Sequence, residues 1–271
     1  MNRLTAFCCG RNSASLLRPL VDYLSGQGVP LVLMDDGSLD DSADIGQSLV
    51  GQGVTRFVEL DYGGNFSMEK QLAAKRDLIA ETDTEWVLSI DADEIIEHRD
   101  PEQGLLALVD QAEAAGSDVV DFDEFVFLPL PDEDRGDGSH RAMRRHYFHQ
   151  PHPNRLMRMW RKSAGLENVS GGGHRLSGAD FRLHPESHNL RHYMFLSQAH
   201  AEQKMLGRVY APHELARQWH NNRMNVSPAQ LRLPAASDAR LSWLGEDAPR
   251  DGALDRSRPM RGHYWTWEPV A

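Results

Sequence analysis

The sequence predicts an α/β fold, a mostly parallel open sheet flanked by helices, joined to a smaller mixed, His/Arg-rich carboxy-terminal portion. Short apolar runs of strand character alternate with stretches of helical period as far as residue 128, the pattern of βαβ units. The polar clusters of this half fall where strands end. Charge also divides the chain. Residues 1–140 hold 9 Lys+Arg against 29 Asp+Glu, residues 141–271 hold 20 against 11, and twelve of the thirteen histidines lie from His140 onward.

Taken in order, Leu4–Cys9 reads as a strand and Asn12-Ser13 as a helix start. Leu16, Leu17, Leu20, Val21 and Leu24 recur at helical spacing until Gly26. Pro30–Met34 is a second strand, Asp40–Val50 a helix opened by acidic residues that favour its amino-terminal dipole, and Thr55–Leu60 a third strand. Ser67–Ala80 is a helix with Ser67 as cap, and Trp86–Ile90 a fourth strand. Asp100-Pro101-Glu102-Gln103 reads as a helix start with Pro at the first helical position. Asp118–Leu128 reads as one bent strand. Beyond Pro129 come a loop to His140, a strand over Arg155–Trp160, a glycine turn at Val169–Arg175, and helices over Ser197–Gly207 and Pro212–Arg223. The segment after Val226 reads as a tail or lid.

At 271 residues with 40% hydrophobic content, the chain can bury a sizeable core without staples. Cys8 and Cys9 are neighbours in a strand and point to opposite faces, so no disulfide joins them. No signal core or membrane-length run is present, which makes a cytoplasmic protein the expectation. The acidic half is unsuited to nucleic acid, whose phosphates call for Lys and Arg.

The chemistry concentrates at Trp86-Val87-Leu88-Ser89-Ile90-Asp91-Ala92-Asp93-Glu94, an apolar run ending in three carboxylates. Charge there is costly unless something uses it. Residues at i and i+2 of an extended segment face the same way, so Asp91 and Asp93 could meet one ligand. Carboxylate oxygens suit Mg²⁺ or Mn²⁺, which usually arrive with substrate phosphates. The plainer reading is a solvated acidic turn. Gly10-Arg11-Asn12, Asp35-Asp36-Gly37-Ser38 and Asp61 to Asn65 end the other strands, and in a parallel sheet these loops share the ligand edge. Neither a dinucleotide glycine fingerprint nor a P-loop follows the first strand.

The pattern Arg11-Asn12, then Val32 to Ser42, then Trp86 to Glu94 resembles family 2 glycosyltransferases of the A-type fold, over roughly residues 4–130. The resemblance implies metal-dependent transfer of a sugar from a nucleotide-sugar donor to an acceptor hydroxyl, with inversion. By it, the aspartate pair Asp35 and Asp36 binds donor, with Asp36 on a uracil-type base. Asp91 meets the ribose and Asp93 the metal, Mn²⁺ or Mg²⁺. Asn12 belongs to the donor loops, although the family often has Asn-Glu where this chain has Asn12-Ser13. Arg76 sits where a nucleotide-contacting basic residue often lies, or is a solvated helix charge beside Lys75. Residues 1–128 would then be the nucleotide-sugar half, 129–225 the acceptor half, and 226–271 the tail.

Leu190-Arg191-His192-Tyr193 resembles a His-Tyr segment of a subgroup of these transferases, which makes His192 a further metal ligand, with His188 as the alternative. Gly171-Gly172-Gly173-His174-Arg175 is a mobile surface loop or a close approach to ligand; related chains often carry His-Glu there. The candidates for the base that deprotonates the acceptor are Asp121, Asp123, Glu124 and His174, with Asp121 and Asp123 sharing a face if Asp118–Leu128 is extended. Arg141, Arg144, Arg145, Arg155, Arg158, Arg161 and Lys162 form a basic run, either an ordinary solvated face or a contact for a carbohydrate or lipid-linked acceptor or a membrane surface. A nucleotidyltransferase acting on a sugar phosphate and a non-catalytic nucleotide-sugar-binding domain are the alternatives. A His-rich metal hydrolase is weaker, since no His-Glu-x-x-His spacing occurs.

Overall fold

A computed structural model describes residues 2–154, 156–170, 173–178, 180–220, 223–245 and 254–268. Arg155, Gly171 and Gly172, named above, lie outside them.

The chain begins with strand β1 (Asn2–Gly10), helix α1 (Ala14–Gly26), β2 (Leu31–Asp35), α2 (Ser42–Ser48), β3 (Val54–Glu59), α3 (Met68–Glu81) and β4 (Thr84–Ile90). These strands pair in parallel in the order β3-β2-β1-β4, so their carboxyl ends share one edge. The central strand is buried on both faces. Leu4, Ala6 and Cys8 pack with Leu16, Leu17, Leu20, Val21 and Leu24 of α1, whereas Phe7 and Cys9 pack with Leu78 of α3. Burying each of those leucines contributes about 1.5–3 kcal/mol, which is why α1 lies where its apolar stripe dictates. Both cysteines are free, and burial pushes their thiols up, that of Cys9 to about 12.

The remaining elements are β5 (Glu94–Glu97), α4 (Leu105–Ala114), β6 (Val119–Val120), β7 (Phe122–Leu128), β8 (Arg145–His149), β9 (Met159–Arg161), β10 (Glu167–Ser170), β11 (Arg175–Ser177), β12 (His188–His192), α5 (Gln198–Leu206), α6 (Pro212–Ala216) and β13 (Ser242–Trp243). Strands β9 and β6 extend the first sheet, β9 antiparallel to both β4 and β6. A second, mixed sheet runs β13-β8-β7-β12-β5, and β10 pairs with β11 separately. Strands β5 and β7 from the first 128 residues thus lie in the second sheet, while β9 pairs in the first.

Several sequence boundaries need correction. Asp118–Leu128 is not one strand: the chain leaves the first sheet after Val120 and enters the second at Phe122, with Asp121 at the switch. Helix α4 starts at Leu105 with Gly104 as cap, because Asp100 turns the preceding residues by accepting from the Glu102 N–H at 3.0 Å. Strand β9 starts at Met159, and α6 stops at Ala216. Ser67 does cap α3, accepting from the Lys70 N–H.

The tail residues Leu231, Leu233, Leu241, Tyr264 and Trp265 pack with Val126, Tyr147 and Phe195 in a second core behind β7. The basic run is not one solvated face. Arg145 and Arg158 are buried, Arg141 stacks on Tyr23, Arg161 stacks on Trp86, and Lys162 donates to the Thr82 carbonyl at 2.6 Å. Among the described residues, no helix is long and apolar enough to cross a membrane.

Candidate active site

Asp91-Ala92-Asp93 is the link between the two sheets: β4 ends at Ile90 in one, and β5 begins at Glu94 in the other. Both ends of this three-residue link are anchored by ladders, so its carboxylates sit on rigid supports. The Asp91 N–H donates to Glu94 Oε2 at 3.0 Å, and the Glu94 N–H returns to the Asp91 carbonyl at 3.1 Å.

Arg158, just before β9, is 2% exposed and pairs with both Asp91 and Glu94, at 3.0 Å from Asp91 Oδ2. The Asp91 side chain remains 43% exposed. Burial opposes its charge, but Arg158 and Lys75 outweigh it and hold the carboxyl below the usual carboxylate range. For the enclosed Glu94, burial prevails over Arg158 and lifts the carboxyl. Lys75 lies on the buried stripe of α3 with Gln71, Leu72 and Leu78, and donates to Ser89 Oγ at 3.0 Å.

Asp93 meets cations from the far half of the chain. Lys204 of α5 places Nζ 2.5 Å from Asp93 Oδ2, and His192 Nε2 of β12 is 3.5 Å from the same oxygen. Burial opposes ionisation, yet Lys204 and His192 hold this carboxyl well below its usual range. His192 is oriented from behind by Glu124, whose Oε1 accepts from Nδ1 at 2.6 Å.

The other donor candidates converge on the neighbouring strand end. Asp35, 4% exposed, accepts from the Ser38 N–H at 2.8 Å and from its hydroxyl, closing its own turn. Fully buried Asp36 pairs with Lys70 and accepts from Gln71 Nε2 at 2.7 Å. Asn12, at φ 52°, accepts from the Leu39 N–H at 2.8 Å and staples this turn to the end of β1. Arg11 stacks 3.5 Å over the Tyr62 ring and donates to the Asp36 and Gly37 carbonyls. Arg76 lies apart, half-exposed and 3.8 Å from Glu167.

The base candidates are dispersed. Asp123 and Glu124 are consecutive in β7 and point to opposite faces. Asp123 is clamped by Arg256 Nε at 2.8 Å, and Glu124 sits between His192 and His149. Asp121 is buried, its carbonyl accepting from the His188 N–H at 3.1 Å. The His188 ring lies tilted against that of His98, 4.6 Å between centroids. His174 is half-buried, and its carbonyl accepts from the Met157 N–H at 2.9 Å, one residue before Arg158.

The sequence places Arg158 in a basic run read as a solvated face or an acceptor contact, and it assigns no role of their own to Lys204 or Lys75. A signal existed for two of them: Lys75 and Gln71 occupy positions on the apolar stripe of α3, and Arg158 interrupts the apolar run Leu156 to Trp160. Lys204 carried no such mark.

Among the described residues, no group of three or more His, Cys, Asp or Glu side chains is disposed to hold a metal ion. The donor chemistry at Asp93 still fits a dication carried by a ligand. One ionised carboxylate oxygen and one imidazole nitrogen face each other, and the cation-seeking character of the spot is marked by the ammonium drawn to it. Mg²⁺-type ions commonly take one or two protein ligands and complete their shell with phosphate and water.

No protein-family model matches the chain, and no curated protein matches it. Among solved structures it is similar to S. aureus TarS, with TM-score 0.46 and 12% identity over 82% of this chain and 43% of that one. It is similar to S. aureus TarS in complex with UDP-GlcNAc, with TM-score 0.45 and 13% identity over 70% of this chain and 58% of that one. A third is glucosyl-3-phosphoglycerate synthase from Mycobacterium tuberculosis in complex with Mn²⁺, UDP and glucosyl-3-phosphoglycerate, with TM-score 0.32 and 20% identity over 46% of this chain and 44% of that one. The chain spans about half the length of these structures.

Proposed function

We propose that this chain transfers a sugar from a nucleotide-sugar donor to an acceptor hydroxyl with inversion, the metal acting at the donor diphosphate. The observation that carries this reading is the shared strand edge along which the Asp35-Asp36 turn, Asp91 and Asp93 all lie, with Arg158 and Lys204 paired to the last two.

In this reading the Asp35-Asp36 turn, held rigid by Asn12, Ser38 and Lys70, receives the base, and the exposed Asp91 carboxylate accepts from the ribose hydroxyls. Asp93 and His192 would hold a divalent cation, which would supply neutralisation of the charge developing on the leaving diphosphate. The acceptor oxygen bonds to the anomeric carbon as the bond from that carbon to the diphosphate oxygen breaks. His174 takes the acceptor proton: its carbonyl accepts from the Met157 N–H at 2.9 Å, one residue before the Arg158 that pairs with Asp91.

A thermal-shift panel of nucleotide sugars with and without Mn²⁺, followed by identification of the released product, tests this. A donor-specific rise in Tm with release of nucleoside diphosphate supports transfer. Release of pyrophosphate from a nucleoside triphosphate favours a nucleotidyltransferase, and donor binding without turnover over a wide acceptor panel favours a binding domain.

A further inference from the structure

Asp93 Oδ2 is contested. His192 Nε2 approaches it at 3.5 Å, and the Lys204 ammonium at 2.5 Å. Lys204 is placed there by α5, which starts at the Ser197 cap and buries Ala201 and Met205 on the face beside it. Its other partners are neutral, the Met194 carbonyl at 3.0 Å and the Phe195 ring at 6.0 Å to the centroid. The two cations paired directly with Asp91 and Asp93 differ in kind. Arg158 is enclosed and bonded to two carboxylates, whereas Lys204 is a point charge on a flexible stem with 21% of its side chain exposed. A dication on the same oxygen would stand within a few ångströms of that ammonium, where repulsion is strong in a partly buried place.

Resting on the nucleotide-sugar reading above, we propose that Lys204 is the resting counter-cation of Asp93 and yields that oxygen to the metal only when a nucleoside diphosphate arrives to receive the ammonium. A free dication would have to expel Lys204 toward neutral partners, the Met194 carbonyl and the Phe195 ring. A diphosphate offers the ammonium an anion within reach of the same stem, so its arrival removes the repulsion and supplies the missing metal ligands together. Metal and nucleotide then bind with positive coupling, and the coupling is reciprocal. The ligand this site takes is the metal–nucleoside diphosphate complex, and the metal alone is held weakly.

The test is Mn²⁺ titration, followed by the spin resonance of free Mn²⁺, of the full chain and of Lys204→Met and Lys204→Gln, each with and without uridine diphosphate. In the wild type, uridine diphosphate should tighten Mn²⁺ binding about tenfold or more. Both variants should bind Mn²⁺ alone about tenfold tighter than the wild type and lose most of the tightening by nucleotide. Lys204→Gln retains a donor for the Met194 carbonyl, so agreement between the variants assigns the effect to charge. Unchanged or weaker binding of Mn²⁺ alone in both variants, with circular dichroism of the folded protein intact, overturns the role of Lys204. Failure of every form, wild type included, to bind uridine diphosphate at any Mn²⁺ concentration instead overturns the nucleotide reading on which the exchange depends.

Discussion

Glu124 accepts from His192 Nδ1 at 2.6 Å through one carboxylate oxygen and lies 3.0 Å from His149 Nδ1 through the other. A carboxylate at Nδ1 orients the ring so that Nε2 faces Asp93, where a bound metal would take its lone pair. Replacing Glu124 by Gln should therefore weaken Mn²⁺ binding in the presence of uridine diphosphate by about 10–100-fold while leaving the fold in place. Mn²⁺ titration checks this, and an unaltered affinity would assign Glu124 another task.

Arg158 neutralises Glu94 and Asp91 together. Arg158→Met keeps most of the volume and strands the enclosed Glu94 without its cation. The expected loss is about 3–5 kcal/mol of unfolding free energy, read by urea denaturation. A loss below about 1 kcal/mol would mean that Glu94 is protonated in the folded protein.

For His174→Ala, the acceptor-deprotonation role predicts a fall in kcat of about 10²–10⁴-fold with donor affinity retained. Single-turnover transfer together with donor calorimetry separates these quantities. Equal loss of both would make His174 a donor contact.

Stability should fall with acid. Burial lowers His140, His146, His149 and His200 to about 4 and His188 to about 3. In the unfolded chain histidine titrates near 6.5, so between pH 6.5 and about 4 the unfolded state binds more protons and stability declines with decreasing pH. Each group contributes at most about 1.4 kcal/mol per pH unit in that window. Urea midpoints measured at falling pH should drop steadily below neutrality. A flat profile down to pH 5 contradicts the burial of neutral imidazoles.

Gly37 sits at φ +63°, and a Cβ there would lie 2.7 Å from the Tyr62 Cβ. Gly37→Ala should push the Asp35-Asp36 turn off Tyr62 and lower nucleotide affinity more than global stability. Calorimetry with uridine diphosphate, beside a urea curve, would show the contrast.

The sheet half of this fold was legible because its signals are local. The stripe of α1 from Leu16 to Leu24 and the fully buried strand around Leu88 state their own period. So was the presence of acids at strand ends. What was hidden is set by long-range pairing. Nothing near Asp121 announces that the strand breaks there to change sheets, because Val120 and Phe122 are equally apolar. The partners of the acids were hidden for the same reason. Lys204 is 111 residues from Asp93, and Arg158 is 67 from Asp91. Neither distance leaves a periodic trace, and the basic run that holds Arg158 looks like surface until the neighbouring strands close over it.

Cys8 and Cys9 lie side by side on the middle strand of the first sheet, one sulfur toward each layer of helices. Cys8 is fully enclosed, whereas Cys9 keeps 8% exposure, so Cys8 cannot meet an alkylating reagent while that strand stays zipped to β2 and β4. Cys8 therefore serves as a built-in stopwatch: the speed at which iodoacetamide consumes its sulfur measures how often the molecule's centre comes apart.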